Sequence, residues 1–195
     1  DKPSRVLLLC QSRAGYLHLS ELLSRAYRFN QYRGRAEIDP SWLDAESTAG
    51  LICLSGGPFG DIGRALANDN EAQAARLLEF WRSVFPDRFY LEVQRTGDPA
   101  VDALARRTLR FASRERLPAV ATHPVQFMRP EDFRAHEARV CIAQGYILGD
   151  PRRPRQFTPQ QYFKTQAEMA ALFADAPQAL ANSVEIAKRC NLTIE

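Results

Sequence analysis

Short apolar runs alternate along this chain with longer amphipathic stretches, which is the pattern of repeated βα units rather than of an all-helical bundle or a sandwich. Four runs predict strands: Val6 to Cys10, Leu51 to Leu54, Phe89 to Val93 and Ala119 to Thr122. Each carries β-branched or aromatic residues and is followed by turn chemistry. Between them, Tyr16, Leu19, Leu23, Ala26 and Tyr27 recur as one helical face, and Ala74, Leu77, Leu78, Trp81 and Phe85 as another. Asp98 followed by Pro99 is a helix start, and Val101, Leu104, Ala105, Leu109 and Ala112 form the stripe that buries that helix against the sheet. Beyond about Pro130 the strands cease and the chain becomes helical, interrupted by a basic, proline-punctuated loop from Asp150 to Pro159. Thr165 and Glu168 form a capping box, so a short helix should begin near Gln166 and end before Asp175. The stretch Asp175 to Asn191 predicts a last helix, with Asp175 as N-cap, Pro177 in the first turn, and Leu180, Val184, Ala187 and Cys190 on the buried face.

At 195 residues and 45% hydrophobic content the chain can build one ordinary core. The net charge of +3 hides a near balance of 26 basic against 23 acidic residues, too small an excess to argue for nucleic-acid binding. Cys10, Cys53, Cys141 and Cys190 lie far apart, without the paired spacings of zinc ribbons or redox motifs, and are expected to be reduced, mostly buried thiols of a cytoplasmic protein. The apolar runs are too short to span a bilayer and no leader opens the chain, so a soluble, unexported protein is expected. Without an initiator Met, and with a stop just after a helix, both ends are expected to be cut boundaries within a longer polypeptide.

Candidate chemistry begins with the three histidines, His18, His123 and His136. His18 flanked by leucines reads as a surface or packing residue, and His136 as one hydrogen-bonded within the fold. His123 falls directly after a strand, where α/β barrels place their catalytic loops, yet a lone imidazole is a poor metal site. Glu92 lies inside the apolar run FYLEV and needs a partner; an ion pair with Arg88, Arg95 or a residue across the sheet is the plainer reading beside catalysis or a metal. The glycine run Ser55-Gly56-Gly57 could cradle a phosphate, but lacks the Lys-Ser/Thr of a P-loop, and a plain strand-to-helix turn is the simpler account. Arg152, Arg153 and Arg155 could touch phosphates, although arginines in a solvated loop need no such explanation.

Several segments together resemble the PHP domain of bacterial polymerase III alpha subunits. They are GYLHLSELLSRAY from Gly15, GLICLSGGPFGDIGRAL from Gly50, FPDRFYLEVQRTG from Phe85, LPAVATHPVQF from Leu117, AHEARVCIAQG from Ala135, DPRRPRQFTPQQYF from Asp150, and DAPQALANSVEIAKRCN from Asp175. The resemblance covers the chain and lies in its order rather than in any single piece. It implies an α/β fold, an incomplete distorted (β/α) barrel of the polymerase and histidinol phosphatase type with a helical C-terminal extension. Residues 1–195 would be part of a single PHP domain, with 1–130 as barrel units lacking the first strands and 131–195 as a mainly helical closing segment.

Metal-binding members of the family begin with a His-x-His strand, which this chain lacks, and the resemblance puts Thr96, Pro124 and Gln126 where such members carry ligands. Glu92 and His123 would then be relics of a dismantled three-metal site, with no catalytic residue in the chain. The leading expectation is a scaffold segment of a replicative DNA polymerase, touching that subunit's palm and thumb and the proofreading exonuclease subunit. It would hold no cofactor itself, magnesium and DNA belonging to the parent polymerase. The runner-up is an active metal-dependent PHP phosphoesterase or 3′-5′ exonuclease, and a third reading is the error-prone alpha-like paralogue. A barrel lacking strands should also self-associate through the edge near Val6 to Cys10.

Overall fold

Where the chain carries short continuous apolar runs it is extended, and where apolar residues recur every three or four it is helical, in a computed structural model that describes residues 3–193. Strand β1 (Leu7–Cys10) leads into helix α1 (Arg13–Phe29), then a hairpin of β2 (Gln31–Tyr32) and β3 (Arg35–Ala36). After β4 (Leu51–Leu54) come α2 (Asp61–Ala67) and α3 (Glu71–Val84), and after β5 (Phe89–Gln94) comes α4 (Pro99–Arg114). Strand β6 (Ala119–Thr122) is followed by α5 (Phe133–Gln144), α6 (Gln166–Leu172) and α7 (Pro177–Arg189). The result is mixed α/β: an open sheet in the order β1-β4-β5-β6, with β4, β5 and β6 parallel and β1 antiparallel to β4. The helices between the parallel strands are the crossovers that parallel pairing requires.

Strand β4 sits in the middle of the sheet, and its four residues LICL are all buried because both faces are covered. Leu51 and Cys53 face a core built with Ile62 and Leu66 of α2, Leu78 and Trp81 of α3, Phe85, and Leu91 of β5. Ile52 and Leu54 face the other way, onto Tyr90, Val120 and Ile186 of α7. Trp81 stacks on Phe89 with centroids 5.7 Å apart, and its indole N–H donates to the Asp61 carboxylate at 3.0 Å. A fully buried side chain of this size contributes about 1.5–3 kcal/mol, so this two-sided burial is the main term that holds the sheet together. Helix α1 crosses the turn before β4 at Gly15 and Gly50; a Cβ on Gly15 would lie 2.0 Å from the Gly50 carbonyl oxygen.

Several expectations change in detail. Strand β1 starts at Leu7 rather than Val6, and β5 runs on to Gln94. The short hairpin was not expected, since its strands are polar; its signal is Arg33-Gly34, both at positive φ, the conformation of a tight hairpin turn. In α1 the buried residues are Gly15, Leu22 and Ala26, whereas Tyr16, Leu23 and Tyr27 are exposed. The predicted face is thus rotated, because close backbone approach at Gly15 draws the helix down on that side. Helix α7 buries Ala179 and Ile186, leaving Val184 and Ala187 in solvent. Its rotation follows from Asn182, whose side-chain amide donates to the Ala119 carbonyl at 2.7 Å and so caps the edge strand β6. Pro177 is in the first turn as expected, but the N-cap is Ala176, without a side-chain hydrogen bond. Asp175 is not the cap: it grips Arg95 instead. The capping box holds: Thr165 and Glu168 exchange hydrogen bonds, and the Tyr162 hydroxyl followed by those Thr165 bonds lowers the Glu168 carboxyl to about 2.

Candidate functional site

The carboxyl ends of β4, β5 and β6 lie side by side, which is where open parallel α/β sheets gather ligand-binding loops. They deliver Ser55-Gly56-Gly57, then Gln94-Arg95-Thr96, then Thr122-His123. The alternation of β5 turns Glu92 and Gln94 to one face, and parallel register sets Thr122 beside Gln94. Glu92 is buried, and its Oε1 accepts from the Thr122 hydroxyl at 2.5 Å and from the Gln94 amide at 2.8 Å. Its backbone N–H donates to the Ser55 hydroxyl at 2.9 Å. The expected ion pair is therefore corrected: the carboxylate is held by neutral donors, and among the described residues no cation comes within ion-pairing range of it. Arg88 is spent on the Leu51 and Thr48 carbonyls, and Arg95 on Asp175 at 2.7 and 2.8 Å and on the Leu172 carbonyl. Beside Glu92 a cavity of about 10 Å³, lined also by Gly57, Gln94 and Thr108, has room for one water.

His123 follows β6 as expected, with Nε2 3.0 Å from the Gln160 carbonyl and Nδ1 buried without a hydrogen-bond partner. Burial is the main reason its pKa lies below the usual histidine value, with the Gln160 carbonyl acting the other way. The segment 158–163 is drawn across these strand ends. The Thr158 hydroxyl donates to the Thr96 carbonyl, the Gln161 amide to the Pro124 carbonyl at 3.1 Å, and the Gln126 N–H to the Gln161 carbonyl at 2.8 Å. Phe127 and Tyr162 add an isolated parallel bridge. Thr96 is buried, while Gln126 is exposed. No periodicity marks this overlay in the sequence; only its polar residues around Pro159 hint that it is a loop with work to do.

The remaining candidates resolve into local roles. The glycine turn is structural: Gly56 has φ of +77°, and a Cβ there would lie 1.9 Å from the Arg5 carbonyl oxygen, so the turn is filled by the chain's own backbone. His18 sits 2.9 Å from the Ala49 carbonyl. His136 is buried between Phe127 and Phe157, 3.2 Å from Arg139 through Nδ1, with Nε2 unpartnered. In the basic loop, Arg153 is tied to Glu137 at 2.7 Å and Arg152 to Asp150 at 3.0 Å, which takes two of three arginines out of consideration as free phosphate ligands. The cysteines are free thiols; Cys53 and Cys141 are buried and Cys10 and Cys190 partly so. Among the described residues no three His, Cys, Asp or Glu side chains converge, and no helix is long and apolar enough to cross a membrane.

Comparison with known proteins finds relatives along the whole chain. Residues 1–96 match the PHP domain. The whole chain is 50% identical to DNA polymerase III subunit alpha of Neisseria meningitidis serogroup A, covering 17% of that protein. It is 48% identical over 98% of its length to the subunit of the same name from Pseudomonas aeruginosa, and 44% identical over its whole length to that of Escherichia coli strain K12. The chain spans about one sixth of the length of the curated relatives it matches, 16–17% in each case.

Proposed function

The chain is a homologue of part of the DNA polymerase III alpha subunit, with a PHP-domain match over residues 1–96, and from that premise we propose that it is a structural scaffold within a replicative polymerase. Residues 1–195 form part of one PHP domain: 1–130 supply βα units of an incomplete distorted barrel and 131–195 close it. The parent performs nucleotidyl transfer with magnesium in a palm outside this stretch, in the cytoplasm. This segment contributes surfaces for the palm and thumb and for the proofreading exonuclease subunit. It catalyses nothing itself.

One observation carries the reading: the segment 158–163 stitches the strand-end loops together through Thr96, His123, Pro124 and Gln126. Loops locked onto the chain's own backbone are poorly suited to open around a phosphodiester. The residues also fit a multi-metal centre badly. Glu92 is satisfied by a hydroxyl and an amide, Thr96 sits where a ligand would be needed with its carbonyl engaged, and Pro124 has no side-chain donor. Glu92 and His123 are relics of such a site. The hydrolase reading has one observation in its favour, the free and buried Nδ1 of His123, a nitrogen that a neutral imidazole could offer a metal. Metal analysis of the full-length alpha subunit separates the two. The scaffold reading expects no stoichiometric zinc or manganese in the PHP domain, whereas two or three tightly bound ions, lost on Glu92→Ala, would overturn it.

A further inference from the structure

We propose that the C-terminal end of α1 together with the β2–β3 hairpin is a docking platform for a single strand of nucleic acid. From Leu22 to Ala36 the chain holds four arginines, Arg25, Arg28, Arg33 and Arg35, and no acidic residue. Three aromatic side chains in the same stretch stand in solvent, Tyr27 at 59%, Phe29 at 68% and Tyr32 at 58% exposure. Single exposed rings are ordinary on a protein surface, but three within six residues are a local concentration. Two of them are interleaved with cations: Arg28 lies 4.9 Å from the centre of the Phe29 ring, and Arg33 5.3 Å from that of Tyr32. The platform is rigid at its root, since the Asn30 side-chain amide donates to the Glu37 carbonyl and the Glu37 N–H to the Asn30 carbonyl, both at 3.0 Å, and the Gln31 side-chain amide donates to the Tyr27 carbonyl at 2.6 Å.

Phe29 and Tyr32, each paired with a guanidinium group, match a strand that offers bases and phosphates in alternation, because rings stack with any base while the cations follow the backbone. A membrane surface would not select for this alternation. An acidic protein segment would use the arginines but leave the rings without a stacking partner. Arg35 is shared with Glu37 at 2.5 Å and Arg25 stacks on Trp42 at 4.2 Å, so Arg28 and Arg33 are the side chains left for phosphates. The near-even overall charge concealed this local field, which appears only when the charges are placed on the end of α1 and the hairpin that follows it.

The test is fluorescence anisotropy of a labelled oligothymidylate of about twenty nucleotides titrated with the 195-residue chain between about 50 and about 200 mM salt. Phe29→Ala and Tyr32→Ala should each weaken binding roughly tenfold, and Phe29→Leu, which keeps apolar area but no stacking face, should do the same. Arg33→Gln should lower the logarithmic salt slope by about 0.7, while Arg152→Gln in the other basic loop should change nothing. No binding at the lowest salt would overturn the proposal. So would binding that the ring substitutions leave intact, or a polyglutamate peptide that competes fully while Phe29→Ala has no effect; the latter would assign the surface to an acidic protein partner. Thermal melts matching the parent chain establish that each variant is folded.

Discussion

Replacing Asp175 by Asn separates two accounts of the last helix. If Asp175 were its N-cap, Asn would serve as well, since the two are equivalent caps, and stability would not move. The structure instead gives the carboxylate to Arg95, through two parallel bonds of 2.7 and 2.8 Å that join residues eighty positions apart. The Arg95 side chain is only 14% exposed, lies 4.9 Å over the Phe173 ring and also holds the Leu172 carbonyl, so it ties the end of β5 to the joint between α6 and α7. A bidentate pair with one sheltered partner exceeds a typical surface pair, but Asp175 is 59% exposed and solvent screening holds the gain to about 1 kcal/mol. In a chain of this size that is a fall of about 2–4 °C in Tm for Asp175→Asn at neutral pH. Arg95, chiefly through its hydrogen bond to the carboxylate, lowers the Asp175 pKa below the ordinary value of 3.8. A lowered pKa means the contribution is whole above 3.8 and lost as pH falls through the folded value, so the gap between parent and variant should close in acid. Circular dichroism melts from neutrality down to about pH 3, with Arg95→Gln and the double variant completing a thermodynamic cycle, measure this directly. Equal melting at pH 7, or a gap that does not narrow in acid, refutes the ion-pair account.

Two further outcomes follow from the same geometry. His136 has its pKa held below 6.5, first by burial and then by Arg139, with Glu137 opposing, so its contribution is complete above pH 6.5 and lost as pH falls through the folded value. His136→Phe should flatten the loss of stability below pH 6.5 by up to about 1.4 kcal/mol per pH unit, as read by urea denaturation, and unchanged pH dependence would contradict it. The free edge of β1, with Leu7 46% exposed, should make the isolated chain associate, and Leu7→Lys should reduce that association in light scattering; a clean monomer at high concentration in the parent chain would rule out edge pairing.

The sequence reads well where the physics is short-ranged. LICL at Leu51–Leu54 and AVAT at Ala119–Thr122 are strands at the predicted limits, because a short apolar run between turn residues has few other ways to bury itself. Asp98 accepts from the Ala100 and Val101 N–H groups as its position before Pro99 implied, and Thr165 and Glu168 cap one another, because capping reaches only three residues. The ordered family segments were legible for the same reason, each being a string of neighbours.

Tertiary structure decided everything that depends on which distant group arrives. Amphipathic spacing shows that α1 and α7 have buried faces, but the rotation of each was set elsewhere, by the approach of Gly15 to Gly50 and by Asn182 reaching the edge of β6. Glu92 needed a partner on any reading; that the partners are Thr122 and Gln94 rather than an arginine follows from strand register. The overlay of 158–163 on the strand ends is not legible beyond its polar, loop-like composition, since the Thr158 and Gln161 side chains reach carbonyls more than thirty positions away and its own Gln160 carbonyl meets His123 from as far. Periodicity along a chain records how a segment meets water, and it carries no address for the atom at the far end of a hydrogen bond.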